Sequence, residues 1–432
     1  MNTHLAEEKI ETKENTLVDR FLRQFIDQYR LNHAVSEHPN TNDHGLNDQA
    51  GFERSYQHAV KKMNARYDMT FLNRIKSLIG ADSIDYCVAE NIWAGQYLSH
   101  CDALFLPSRM IITDQDSFRF FTSKVSTSIE TQQKIFLEDI DDGKSLERII
   151  DAVIKRQPDF IIGIGGGRVM DIMKFIALKA EVKSVAIPTS LSTHVYASNK
   201  IHALPLIKAL GYDLTIEGNP ADVAILDLNF FETLNQHNPR LIRSGLGDLL
   251  AFKTAQLDWQ RACDLQRRPV DPFINALVDR LIQIIESIDV SQPISLWLAE
   301  YHLVQAMLCN ITDWQGSAPA SGSEHLFALA CERLLDPPPL HGELVSLGVL
   351  IATYLQGGDY QAVAKTQKRL GLANNLAKIG IDQHIVIKAL SKAAAIGKVK
   401  KRYTIFERIP NTKAFFELVI KRLIKQGYIS LS

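Results

Sequence analysis

The sequence predicts an α/β domain built on a parallel sheet, followed by an all-α domain, with a helical extension ahead of both. Three observations predict it. The length of 432 residues exceeds the roughly 250–300 residues at which a single core tends to divide. Between residues 84 and 228, short apolar runs alternate with helical segments: RMIITD, KIFLED, DFIIGIGGG, SVAIPTS and VAILD. From Pro239 onward helical spacing dominates and strand-like runs are scarce. The expected domains are 1–83, 84–228 and 229–432.

The extension is polar and holds two amphipathic helical stretches, residues 17–35 and 52–79, separated by SEHPNTNDHGLNDQAG, a run of turn formers. Leu17, Phe21, Phe25 and Tyr29 form an apolar stripe that has to pack on this chain or on a second subunit. In the middle region the runs are continuously apolar rather than alternating. That pattern marks strands covered on both faces in βαβ units, and SLERIIDAVIKRQ supplies one of the crossover helices.

Composition limits the function classes. With 46% hydrophobic and 22% charged residues the chain reads as an ordinary soluble globular protein. A net charge of −1 leaves no overall excess to neutralise phosphates or hold an anionic membrane, so neither partner is expected. Five cysteines, Cys87, Cys101, Cys263, Cys309 and Cys331, form no CxxC pair and are odd in number, which fits reduced thiols in a cytoplasm. The opening MNTHLAEEKIETKENT lacks the apolar stretch of a signal peptide. No apolar run reaches the roughly 18 residues of a membrane span.

Two constellations carry chemistry. In DFIIGIGGGRVMDIMKFIALKA a strand ends at Ile164, Gly165, Gly166 and Gly167 turn the chain, and a helix begins near Val169. Glycines let backbone come close to a pyrophosphate, and the N–H groups of the helix start attract its charge. The turn is also explained by sterics alone. Asp114, ending the earlier strand RMIITD, suits either ribose hydroxyls or a helix N-cap. Downstream, Asp248 in SGLGDLLAFKTAQLDW, His325 in SGSEHLFALACE and His341 in LHGELVSLG lie far apart in sequence. One carboxylate with two imidazoles suits Zn²⁺ or Fe²⁺ and leaves a coordination position for a substrate oxygen.

The ordered segments GIGGGRVMDIMK, AIPTSLSTHVYAS, SGLGDLLAFKTAQLDW, SGSEHLFA, LHGE, YLQGGDY and RYTIFE resemble the iron-containing (group III) alcohol dehydrogenase superfamily, and within it the sn-glycerol-1-phosphate dehydrogenases, over about residues 84 to 410. The resemblance implies a Rossmann-like dinucleotide-binding domain and a helical metal-binding domain. It implies metal ligation by Asp248, His325 and His341, and cofactor contacts from Gly165, Gly166, Gly167, Asp171, Thr189, Leu191 and Ser198. It also gives Asp114 the choice of ribose. The cofactor is NAD or NADP: Asp114 repels a 2′-phosphate, whereas nearby Lys124 would accommodate one. Assembly as a homo-oligomer is a further expectation. The implied reaction is hydride transfer, in a cleft between the two domains, between a nicotinamide and a polyol or its carbonyl form.

Two departures from the resembling enzymes bear on substrate. Their SHDGIAS stretch carries an acidic residue where this chain has His194 in STHVYAS, and their HLFAH has a second histidine where this chain has Leu329. His194 is the expected replacement for the missing proton relay, since imidazole is the side chain suited to passing protons near neutral pH. Lys200, Lys208, Lys253, Lys398 and Arg402 are candidate anchors for a substrate phosphate. Two alternatives stay open: a sugar-phosphate cyclase of the 3-dehydroquinate synthase type, which shares this architecture, and a non-catalytic descendant with a binding role.

Overall fold

A computed structural model describes residues 16–34, 49–63, 67–80, 84–97, 102–106, 108–123, 133–202, 205–212, 215–314, 316–372 and 374–431. Its helices and strands run α1 (Leu17–Ala34), α2 (Gln49–Met63), α3 (Met69–Ile79), β1 (Ile84–Ala89), β2 (Ile92–Gly95), β3 (Met110–Thr113), α4 (Gln115–Thr122), β4 (Gln133–Phe136), α5 (Gly143–Arg156), β5 (Ile161–Gly165), α6 (Gly167–Ala180), β6 (Ser184–Pro188), β7 (Lys200–His202), α7 (Pro205–Lys208), β8 (Thr215–Glu217), β9 (Val223–Asp227) and α8 (Leu228–His237). Helices alone follow: α9 (Pro239–Leu249), α10 (Phe252–Leu265), α11 (Pro272–Ser287), α12 (Ser295–Ile311), α13 (Ser323–Glu332), α14 (His341–Leu355), α15 (Tyr360–Arg369), α16 (Leu376–Ile379), α17 (Gln383–Val399) and α18 (Lys413–Lys425). Lys124 and Cys101 lie outside the described residues.

The described chain separates into two compact units. The first takes the described residues of Met1–Gln24, Ala65–Asn238 and Ile294–Ala306; the second takes those of Phe25–Asn64, Pro239–Pro293 and Met307–Ser432. The expected extension is thus divided between both.

In the first unit the five apolar runs read from sequence are β3, β4, β5, β6 and β9. They form a seven-stranded sheet with β1 and β2, in the order β1-β2-β9-β6-β5-β3-β4. Every pairing from β2 to β4 is parallel, and β1 joins β2 antiparallel at the edge. Each residue of β3, β5, β6 and β9 is buried, which is why the runs are continuous: helices cover both faces and no position turns to water. The edge strand β1 exposes Asp85 and Tyr86 and so carries no apolar run. The stretch expected to be one helix over 52–79 is two, α2 and α3. The Asp68 carboxylate accepts the Phe71 N–H at 3.1 Å and starts a new helix there, as an N-cap does.

The second unit is helical. Its one described β-pairing is an isolated bridge, Asn375 with Ser430. Phe25, Phe52 and Phe273 interlock, their ring centroids 5.5 to 6.2 Å apart, so part of the apolar stripe of α1 packs on this same chain. Glycines set the tightest approach in the unit. A Cβ on Gly342 would lie 1.7 Å from the Ser244 carbonyl oxygen, and one on Gly247 would lie 2.1 Å from the Gly342 carbonyl oxygen. Helices α9 and α14 therefore meet backbone to backbone at a place only glycine can occupy. Similarly, a Cβ on Gly348 would sit 2.8 Å from the Glu324 carbonyl oxygen, which brings α13 onto α14. Arg240 on α9 clamps Glu343 on α14, with one contact of 2.6 Å.

Candidate metal centre and glycine turn

These glycine contacts decide where three side chains go. Gly247 precedes Asp248, Gly342 follows His341, and Gly348 packs on the turn that carries Glu324 and His325. One ligand-type atom from each of Asp248, His325 and His341 lies within 4.8 Å of the others. His325 Nε2 is 3.1 Å and His341 Nε2 is 3.7 Å from Asp248 Oδ1. Asp248, at 1% exposure, and His325 are buried, and His341 is half-buried.

The opposite ring nitrogens are occupied. His325 Nδ1 lies 2.9 Å from Glu324 Oε1, and His341 Nδ1 lies 2.6 Å from Glu332 Oε1. With each Nδ1 on a carboxylate, the two Nε2 atoms face Asp248. This carboxylate–imidazole pattern is the one that orients metal-binding histidines and raises their basicity. Thr254 Oγ1 donates to Glu324 Oε2 at 2.6 Å and steadies that carboxylate. Three carboxylates around two imidazoles make a field that favours positive charge. Burial works against the protonated His325 ring, but the hydrogen bonds it donates to Asp248 and Glu324 outweigh it and raise its pKa to about 9. His341 is raised as well: burial opposes the charge, and Glu332 prevails. The donor set, its geometry and its field all fit one divalent cation.

Asp258 braces the start of α13. Its carboxylate accepts the Ser323 N–H at 2.8 Å, a Gln356 amide at 2.9 Å and the Ile405 N–H at 3.0 Å. Arg402, among the proposed phosphate anchors, is buried and donates to the Ser317 hydroxyl at 3.0 Å and to the Ser321 carbonyl. Lys253 pairs with Glu286, and Lys200 in the first unit pairs with Glu217. Leu329 is half-buried one turn beyond His325.

In the first unit the glycine turn joins β5 to α6, which starts at Gly167 rather than near Val169. Gly165 is required sterically: a Cβ there would lie 2.4 Å from Val169 Cγ2 and 3.0 Å from Asp114 Oδ2. Around Gly166 and Gly167 there is room, with nothing nearer than 3.9 and 3.5 Å, and no side chain caps the N-terminus of α6. An open glycine face at an uncapped helix start fits a pyrophosphate. Asp114 caps α4, accepting the Ser117 N–H and hydroxyl at 2.8 Å each, and Ser117 Oγ lies 3.1 Å from Thr189 Oγ1. Gly165, Asp114 and Thr189 are thereby gathered at the carboxyl ends of β3, β5 and β6, where parallel sheets bind ligands.

The remaining residues expected around the cofactor have internal partners. Asp171 is buried and accepts the His202 N–H at 3.1 Å; Leu191 is fully buried; Ser198 Oγ accepts the Lys200 N–H at 3.0 Å. Lys174, absent from the sequence reading, is 2% exposed and donates to the carbonyls of Val195, Ser198 and Lys200 at 2.8, 2.8 and 2.7 Å. It fastens the segment that carries His194 to α6. Burial lowers its pKa to about 8 against the opposing pull of Asp171. The His194 ring lies 6.2 Å from that of His302, which is wholly buried.

Comparison with known proteins bears on both constellations. A sequence model described as iron-containing alcohol dehydrogenase matches residues 94–221. The chain is 31% identical over 266 residues to the glycerol-1-phosphate dehydrogenase (NAD(P)+) of Methanococcoides burtonii, covering 61% of this chain and 72% of that one. To the enzyme of the same name from Metallosphaera sedula it is 30% identical over 307 residues, covering 68% and 83%. Among solved structures, a probable glycerol dehydrogenase from Sinorhizobium meliloti 1021 matches with TM-score 0.51 at 18% identity, over 73% of this chain and 90% of that chain. NADH-dependent butanol dehydrogenase A from Thermotoga maritima matches with TM-score 0.51 at 12% identity, over 72% and 90%. The two structures share the fold of a Rossmann-like domain with a helical domain.

Proposed function

Because the chain belongs to the iron-containing alcohol dehydrogenase family, we propose that it interconverts glycerol 1-phosphate, or a polyol close to it, with the corresponding carbonyl compound. It is an NAD(P)-dependent oxidoreductase acting on CH–OH groups. The observation that carries the reading is the convergence of Asp248, His325 and His341, with both imidazoles held from behind by Glu332 and Glu324.

In this reading Asp248, His325 and His341 would hold Zn²⁺ or Fe²⁺, which would supply a Lewis acid to offset negative charge on the substrate oxygen. A bound nicotinamide would supply the hydride chemistry, and the protein supplies binding and orientation. Glu324 and Glu332 keep each imidazole in the tautomer whose Nε2 can bind a cation. The uncapped start of α6 and the open face of Gly166 and Gly167 take the pyrophosphate, while Asp114 accepts from ribose hydroxyls and disfavours a 2′-phosphate. His194 takes the place of the acidic residue of the resembling enzymes and carries the proton between substrate oxygen and solvent.

The test is oxidation of NADH and NADPH by the zinc- or iron-loaded chain with dihydroxyacetone phosphate, dihydroxyacetone, glyceraldehyde 3-phosphate and simple aldehydes. Turnover with dihydroxyacetone phosphate well above the others is the expected result. No net oxidation with any of them overturns the reading, and a sugar-phosphate cyclase, which regenerates its cofactor each cycle, becomes the account to pursue.

A further inference from the structure

The net charge of −1 conceals an asymmetry. Residues 383–432 hold 11 Lys and Arg against two Glu, a formal charge of +9, so residues 1–382 carry −10. The cations are concentrated on the two last helices. In α17, Val386, Leu390, Ala393 and Ile396 turn inward, and helical spacing leaves Lys388, Lys392 and Lys398 exposed on the other side. In α18, Phe416, Val419, Ile420 and Leu423 are buried, and Lys421, Arg422 and Lys425 are exposed. The two helices pack on one another. The neighbouring ion pair, Lys413 with Glu417 at 3.4 Å, leaves these six cations to solvent.

Like charges one turn apart, such as Lys388 with Lys392 and Lys421 with Lys425, weaken a helix. The fold gains nothing from placing them so, and an anionic partner would. Apolar exposure identifies which partner. Leu418 and Val399 are 66% and 61% exposed, the first and third most exposed large apolar side chains among the described residues. Leu418 shares a helix face with Lys421 and Arg422, and Val399 follows Lys398. Surfaces for single-stranded nucleic acid add aromatic platforms on which bases stack, whereas aliphatic tips set among lysines suit the boundary between headgroups and acyl chains.

We propose that the outer faces of α17 and α18 form a docking surface for an anionic lipid bilayer, with the cations on headgroup phosphates and Leu418 and Val399 seated in the interface. The surface is separate from the dehydrogenase chemistry and does not depend on it. Binding of this kind is reversible and electrostatic, and it weakens as salt rises, because counterions screen the headgroups over about a Debye length.

The experiment is co-sedimentation of the full chain with phosphatidylcholine vesicles with and without phosphatidylglycerol. Expected is partition onto the phosphatidylglycerol vesicles alone, lost at high salt. Each cation removed lowers partition about fivefold, so Lys421→Gln, Arg422→Gln and Lys425→Gln together lower it about 100-fold. Leu418→Ser with Val399→Ser lowers it about tenfold, while all variants keep the circular dichroism spectrum of the parent. Absence of partition at low salt overturns the proposal. So does equal binding to neutral vesicles, or binding that survives Leu418→Ser with Val399→Ser while single-stranded RNA competes it away, which would mark a general polyanion surface.

Discussion

Gly342→Ala tests the geometry on which the metal centre rests. Its methyl group would meet the Ser244 carbonyl oxygen at 1.7 Å, and real Cβ atoms essentially never come within 3.0 Å, so α9 and α14 must part by the difference, 1.3 Å. The obstacle is the backbone of α9 against the first turn of α14, so no rotamer change relieves it. Overpacking of this kind costs about 1–3 kcal/mol, against at most about 0.5–1 kcal/mol gained from Ala over Gly in a helix. Separation acts directly on ligands, because Asp248 rides on α9 and His341 on α14, with Nε2 and Oδ1 already 3.7 Å apart. Metal–ligand distances tolerate only about 0.2 Å. Zn²⁺ affinity should fall about 100-fold or more, measured by competition with a chromophoric chelator, and thermal unfolding should lose most of its response to added Zn²⁺. Gly247→Ala, with 2.1 Å available, should behave alike. A Gly342→Ala chain with unchanged Zn²⁺ affinity would refute the claim that the helix crossing places the ligands.

Glu332→Gln keeps the shape at His341 but removes the charge behind its ring; metal affinity should drop about 10- to 100-fold with little change in melting temperature, and equilibrium dialysis decides it. Lys174 gives a pH signature. Burial holds its pKa at about 8 in the folded chain, below the roughly 10.4 of a solvated lysine, so between those values the unfolded chain binds the extra proton and stability rises with pH. Over that window the gain approaches roughly 3 kcal/mol from this group alone; urea midpoints should show it in the parent and not in Lys174→Met, and a parallel pH profile in the two would contradict the assignment.

Much of this was legible from residue order because burial writes itself into sequence. Strands β3, β5, β6 and β9 are apolar throughout because each is covered on both faces, and the three residues of the metal centre stood out by type. What was not legible depends on approach in space. Strand β1 keeps only Val88 fully buried, so its edge position left no run to read. Glu332 looks like a surface acid of a helix until α13 and α14 close and it meets the His341 Nδ1, and Glu324 shows its part only once it is buried against the Nδ1 of its neighbour His325. The glycines were the available clue: Gly247 beside Asp248 and Gly342 beside His341 announce backbone contact next to a functional residue. Lys174 gave no sign at all, since its three acceptors are main-chain carbonyls. Net charge, a sum over the whole chain, masked the basic end.

The central claim is that Asp248, His325 and His341 hold one divalent cation. Zinc K-edge X-ray absorption of the zinc-loaded chain measures this shell. Two imidazoles are expected at about 2.0–2.1 Å with oxygen completing the shell, and one imidazole fewer in His325→Ala. A spectrum without imidazole scattering, or one that His325→Ala leaves unchanged, would contradict it.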